Sequence, residues 1–190
     1  MNRKIIIIAG YLASGKSGFA AMLSKALGVP CFVKDTFKTA LCASIQINSR
    51  EESSRYSAVT FDGIMYAAER LIETGCPVII EGNFVPPGTK KTNEAGVIKA
   101  LIDKFSCPSL TFRFTGDVKV LHKRFVNREK LPERGQANMM FGEVSFEDFD
   151  AYCRGLDGFN AGGEIVEIDT TDFTKVDFDS HIERARLFIG

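Results

Sequence analysis

Residues Ile5-Ile6-Ile7-Ile8-Ala9 form a continuous apolar run near the start of the chain. The run has no polar alternation, so a strand built from it can show neither face to water. Its β-branched side chains favour extended backbone. Together these properties require the interior of a sheet covered on both sides, as in parallel α/β architecture. Val29–Val33, Val78–Glu81, Leu110–Phe114 and Ile165–Ile168 read as four further short strands. Helical patterns separate them at Ser17–Leu27, Ser53–Thr74, Glu94–Phe105, Asp117–Arg128 and Asp179–Phe188. The longest carries Phe61, Ile64, Met65, Ala68, Leu71 and Ile72 at helical spacing and closes at Gly75 and Pro77. This alternation over 190 residues predicts one α/β domain, a three-layer sandwich around a five-stranded parallel sheet.

The turn that ends the isoleucine run is Gly10-Tyr11-Leu12-Ala13-Ser14-Gly15-Lys16-Ser17, followed by Gly18. It fits G-x-x-x-x-G-K-[ST], placed between a buried strand and a helix, which is the context that gives this pattern meaning. Small residues let backbone N–H groups point inward around a phosphate. The helix that follows presents its positive end to the same anion. Lys16 is then positioned for β- and γ-phosphates, and the Ser17 hydroxyl for Mg²⁺. Residues Gly10 to Gly18 are accordingly the candidate nucleotide-binding segment.

Charge and composition narrow the alternatives. Acidic and basic residues balance at 24 each, which argues against a long nucleic-acid partner. The five cysteines, Cys31, Cys42, Cys76, Cys107 and Cys153, are scattered without a CxxC and read as reduced thiols. His122 and His181 form no zinc pattern. The N-terminal apolar stretch is too short for a leader, and no segment approaches the roughly 18 apolar residues of a membrane span. A cytoplasmic protein is expected. Neither an Asn-Lys-x-Asp nor an Asp-x-x-Gly sequence occurs, so the GTPase switch machinery is missing. From this an ATP rather than GTP preference is expected.

The loop "AGYLASGKSGFA", with "VKDTF" after the second strand and "VIIEGNF" after the third, resembles the P-loop kinase group. That group includes chloramphenicol phosphotransferase-like, zeta-toxin-like and AAA-type ATP-binding proteins. The resemblance implies a nucleoside monophosphate kinase-like sheet order and transfer of the ATP γ-phosphoryl group, with Mg²⁺, to a small-molecule hydroxyl. Ala13 stands where nucleoside monophosphate kinases commonly have glycine, and Gln136 where related members often carry histidine.

The resemblance assigns Asp35 to orient, and to deprotonate, the acceptor. It gives Arg124 adenine stacking and Arg128 phosphate contact. It also makes Asp169-Thr170-Thr171-Asp172 the adenine-side loop, with Thr170 a nucleotide contact. Residue chemistry adds Glu81, whose carboxylate ends an apolar strand and needs a charged or hydrogen-bonding partner. Asn83 and Lys38 are further acceptor-side candidates, and Lys34, Lys38 and Arg55 are basic groups that could clamp a phosphate. Asp35 could equally cap a helix starting at Thr36. Arg124 and Arg128 sit four apart on one helix, two like charges that an anion would neutralise. Residues from about 129 to 157 read as a lid or flap, in which Arg134 could add charge and Phe141, Phe146, Phe149 and Tyr152 could line an acceptor pocket. A nucleotide-binding module with little turnover, or a nucleotide-sugar or polynucleotide kinase, are the alternatives.

Overall fold

The computed structural model describes residues 2–85, 93–131, 136–138 and 142–190. Strand β1 (Ile5–Gly10) is buried along its whole length. It lies at the centre of a five-stranded, all-parallel sheet of order β2-β3-β1-β4-β5. The other strands are β2 (Cys31–Val33), β3 (Val78–Glu81), β4 (Ser109–Thr115) and β5 (Glu164–Asp169). The isoleucine run explains the central position. Alternate residues of a strand point to opposite faces, so Ile5 and Ile7 join Phe61, Ile64, Ala68 and Ile98 on one side. Ile6 and Ile8 join Phe19, Leu23 and Phe112 on the other. Each fully buried isoleucine contributes about 1.5–3 kcal/mol.

Helices α1 (Lys16–Leu27) and α7 (Phe178–Ile189) cover one face. Helices α3 (Arg50–Glu73) and α4 (Glu94–Phe105) cover the other. The three layers are those expected. Helix α3 starts three residues before the Ser53 expected from the sequence, because the Ser49 hydroxyl accepts from the Glu52 N–H at 3.1 Å and caps it. Helix α5 (Val118–Glu129) is capped by Asp117.

Two helices depart from the sequence expectation. Helix α2 (Lys34–Leu41) follows β2 without a break, and α6 (Phe146–Arg154) lies in the stretch read as a flap. Ser145 caps α6 by accepting from the Asp148 N–H at 3.0 Å. Its Phe149 and Cys153 pack on Leu12, Leu121 and Phe125. Part of the flap stretch is therefore a packed helix seated against the phosphate-binding turn.

Candidate active site

Parallel strands bring their carboxyl ends, and the loops that leave them, to one edge of the sheet, the usual place for a ligand in such folds. The turn after β1 is locked to β4 there. The Tyr11 N–H donates to the Phe114 carbonyl at 2.9 Å. Gly10 has φ +117°, and a Cβ on it would come 2.1 Å from that carbonyl oxygen, so no other residue fits. The Tyr11 carbonyl in turn accepts from Ser14 Oγ at 2.7 Å and from Lys16 Nζ at 2.5 Å. The Tyr11 hydroxyl donates to Asp157, beyond α6. Gly15 is the N-cap of α1 and supplies no capping side chain. The first N–H groups of α1 thus lack a side-chain cap, which is the condition under which a helix start holds an anion. A Cβ added to Gly18 would meet nothing within 4 Å, so the approach to this helix start is open.

Lys16 is buried. Burial pushes its ammonium down to about 8, opposed by the Glu81 and Asp35 carboxylates, with Arg128 adding to the lowering. Glu81 is buried beside Ile8 and Val33. Burial pushes its carboxyl up to about 7, opposed by Lys16 and reinforced by Asp35. Ser17 Oγ donates to Glu81 Oε2 at 3.2 Å. The charged partner that the terminal carboxylate of β3 needs is therefore supplied from the turn after β1.

A cavity of about 230 Å³ opens on this cluster, lined by the turn from Leu12 to Gly18 together with Asp35, Glu81, Gly82, Asn83 and Arg128. Asp35 is not a helix cap. Helix α2 begins at Lys34 with Val33 as its N-cap, which puts Asp35 in the first turn, where a carboxylate is favoured by the helix dipole. Asn83 brings a buried Oδ1 that has no hydrogen-bond partner among the described residues. The Ser17 hydroxyl and Glu81 carboxylate are hard oxygen donors side by side, a set that suits Mg²⁺ held mainly by phosphates and water.

Two expected site residues, Lys38 and Thr170, are placed differently. Lys38 is buried, and its ammonium donates to Ser53 Oγ at 2.6 Å between α2 and α3, rather than facing the cavity. A buried ammonium takes the nearest hydroxyl because an unmatched one is costly. Thr170 is wholly buried. Its N–H and hydroxyl both donate to the Thr115 carbonyl, at 3.0 and 2.9 Å. Arg124 grips the same loop, donating Nη1 to Thr170 O at 2.6 Å and Nη2 to Thr171 O at 2.9 Å. Its guanidinium also lies 4.1 Å from the centre of the Phe173 ring. Like Lys38, the other two proposed phosphate clamps are absent from the cavity lining. Lys34 is in a buried ion pair with Glu94 at 2.5 Å, and Arg55 pairs on the surface with Glu51. Arg134 and Phe141 lie outside the described residues.

A second cavity, of about 380 Å³, adjoins the first across Leu12. It is lined by Arg50, Glu143, Asp148, Phe149 and Tyr152 among others. Burial pushes the Tyr152 phenol up to about 12, so it is a hydrogen-bond donor at neutral pH. Phe149 also packs against Phe125 and His122, so this ring serves both packing and cavity. Arg50 was missed in the sequence, where it reads only as a charge near a helix start. Phe173 was missed because one aromatic after a Thr-Thr-Asp turn carries no periodic signal.

The fold is that of solved proteins described as kinases. The chain is 22% identical to a provisionally assigned kinase from Chloroflexus aurantiacus, over 99% of both chains, with a TM-score of 0.86. It is 14% identical to a sugar kinase from a Janibacter species, over 98% of this chain and 94% of that one, with a TM-score of 0.56. It is 18% identical to the Bacillus subtilis YorR protein, solved with phosphorylated GDP, over 97% and 95%, with a TM-score of 0.57. No family model matches the chain, and no curated protein matches it in sequence. Among the described residues no helix is long and apolar enough to cross a membrane.

Proposed function

We propose that the protein is a phosphotransferase that moves the γ-phosphoryl group of ATP to a hydroxyl of a small molecule. The observation that carries this reading is the convergence of Lys16, Ser17, Asp35, Glu81 and Arg128 on one cavity at the start of α1. A mere phosphate-binding turn has no use for the two carboxylates and the arginine. The kinase fold of the neighbours supports it.

In this reading the turn holds the β- and γ-phosphates through its N–H groups, and Lys16 leaves the Tyr11 carbonyl for the phosphate oxygens. Mg²⁺, held at Ser17 and Glu81, would offset charge between the two phosphates. Asp35 accepts the proton of the acceptor hydroxyl. The acceptor oxygen forms its bond to Pγ as the bond from Pγ to the β-bridging oxygen breaks, and ADP leaves. Arg128 offsets charge on the transferred group. Residues from about 129 to 157 serve as the lid, and closure excludes water that would otherwise hydrolyse ATP.

The acceptor occupies the second cavity. Among the described residues, the second cavity sets the carboxylates of Glu143 and Asp148 against the single guanidinium of Arg50, and Asp35 lines the first cavity beside it. Carboxylates accept hydrogen bonds from hydroxyls and amines and repel anions. Phe149 and Tyr152 offer a wall for an apolar face. A polyol, aminosugar or sugar-like acceptor suits this lining better than a nucleoside monophosphate. The test is a panel of such compounds read by ADP release above the rate without acceptor, repeated with Asp35→Asn. Stimulation that is lost in Asp35→Asn supports the reading. Strongest stimulation by nucleoside monophosphates overturns the acceptor class. Tight ATP binding with no stimulation by any compound replaces the enzyme by a nucleotide-binding module.

A further inference from the structure

Phosphate binding accounts for the glycines, Ser14, Lys16 and Ser17 of the turn, but not for its bulky Tyr11 and Leu12. These stand at open positions of the motif, and both side chains reach α6 or the chain that leaves it. The Tyr11 hydroxyl donates to Asp157, just beyond the helix. Burial, reinforced by the Asp157 carboxylate, pushes the Tyr11 phenol up, so it stays a donor at neutral pH. Leu12 packs in one cluster with Phe149 and Cys153, and its backbone hydrogen-bonds the Cys153 thiol.

The end of α6 is also held from the sheet. Arg113 of β4 donates Nη1 to the Asp157 carbonyl at 3.1 Å and pairs with Glu167 of β5. Arg113 is in register with Ala9 of β1, so this tie too starts beside the turn. Phe159 is buried, and its ring lies 5.8 Å from that of Phe84 in the loop after β3. The Tyr11 backbone is itself fixed, because its N–H donates to the Phe114 carbonyl and its carbonyl accepts from Ser14 Oγ. Neither bond involves Lys16, so both persist when Lys16 moves to a phosphate. Helix α6 supplies Asp148, Phe149 and Tyr152 to the second cavity, and Leu12 lines both cavities.

We propose that Tyr11 is a positioning residue for the acceptor: through Asp157 it fixes α6 as a preformed wall of the second cavity, present before nucleotide arrives. This rests on the reading of the second cavity as the acceptor site. It narrows the lid assigned to residues from about 129 to 157, since α6 stays in place within that stretch. A wall tied to the phosphate-binding turn keeps one distance from the reacting phosphate, which is what orientation of two reactants requires.

The experiment is hydrogen exchange read by mass spectrometry on the full chain, free and with Mg²⁺–ADP, in the wild type, Tyr11→Phe, Asp157→Ala and Asp157→Asn. In the wild type, Mg²⁺–ADP should slow amides from 149 to 157 by less than about threefold while slowing those of the turn and α1 more. Tyr11→Phe and Asp157→Ala should each speed exchange from 149 to 157 by about tenfold, the scale of a hydrogen bond to a charged group, with α5 unchanged. Asp157→Asn keeps an oxygen for the phenol and should restore most of the protection. With the polyol or aminosugar that releases most ADP, Asp157→Ala should raise the acceptor KM several-fold and leave the ATP KM unchanged. Slowing of 149 to 157 by Mg²⁺–ADP of about tenfold or more marks α6 as a moving lid and overturns the proposal. So does unchanged exchange there in Tyr11→Phe or Asp157→Ala, or an equal rise in both KM values. If no compound stimulates ADP release, the acceptor reading falls and Tyr11 loses its positioning role, while exchange in the free protein still decides whether the tie exists.

Discussion

The phosphate-binding turn and the acceptor side of the crevice are held together in opposite ways. In the turn, Ser14 and Lys16 both donate to the Tyr11 carbonyl, three and five residues away. On the acceptor side the bonds span long stretches of chain. Asn138 Nδ2 donates to the Asp35 carbonyl at 2.9 Å and to Thr39 Oγ1 at 2.8 Å. Ser53 Oγ donates to the Ala137 carbonyl at 3.0 Å while accepting from Lys38. The donor half is thus a local device that β1 and β4 lock in place, and the acceptor half is a docking of the 136–138 turn onto α2 and α3. Local devices have low closure entropy and survive distant change, whereas docked segments open more readily. Donor binding and acceptor turnover should therefore be separable by mutation.

The largest break is expected from Lys16→Ala. Phosphoryl transfer should fall by about 10³-fold or more, the scale for removing a charge aimed at the reacting group. The fold should persist, because the turn keeps its lock on Phe114. Circular dichroism and coupled ADP release measured together check this, and activity within a few-fold of wild type would refute the assignment.

Arg128→Ala and Arg124→Ala sharpen the division within one helix. Arg128 lines the reaction cavity, so its loss should lower kcat by about 10³-fold or more. Arg124 holds the loop and the Phe173 ring, so its loss should mainly raise the nucleotide Kd. Steady-state kinetics with direct binding separate the two.

The pH dependence probes the buried pair. Glu81 has its pKa raised from 4.5 to about 7, so between these values the folded state binds more protons than the unfolded one. Stability contributed by the neutral carboxyl is full below pH 4.5 and is lost as pH rises through 7, by as much as about 3 kcal/mol. Lys16 is lowered from 10.5 to about 8, so the folded state binds fewer protons above 8, and stability recovers from there to 10.5. Denaturant midpoints across pH 5–10 should trace this dip in the ligand-free protein. Glu81→Gln should flatten the acidic limb. Affinity for Mg²⁺–nucleotide should fall below pH 7 in the wild type, since protonated Glu81 is a poor ligand.

Asn138→Ala should loosen only the acceptor half. Two hydrogen bonds are lost, at a cost of about 1–2 kcal/mol. The acceptor KM should rise several-fold while ATP affinity stays unchanged. A parallel loss of ATP binding would show that the two halves are one unit. The smallest change is expected at Ala13, which adopts φ +57°, a left-handed backbone that strains a non-glycine residue. Ala13→Gly should stabilise by about 0.5 kcal/mol, since relief of strain is partly offset by glycine's entropy. Thermal melting resolves a shift of that size, on the order of 1–2 °C.

The sequence determined the central strand, the phosphate-binding turn and the five-stranded parallel sheet, because each is written in contiguous residues: an unalternated apolar run, a glycine–lysine spacing, a strand–helix rhythm. It also placed Glu81 at the end of β3, since a carboxylate closing an apolar strand is a local anomaly, and Asp35 just beyond β2. It offered α2 only as an alternative, a helix from Thr36, because α2 is short and continuous with β2, and it left α6 unread, set in a polar stretch whose fully buried residues are Phe149 and Cys153. Tertiary structure alone decided where the long side chains go. Lys34 turned to Glu94, Lys38 to Ser53, and Arg124 to the Thr170–Thr171 carbonyls and Phe173. Backbone periodicity is set by near neighbours in the chain, but a flexible charged side chain goes to whichever partner packing brings within reach, and those partners come from strands and loops far away in sequence.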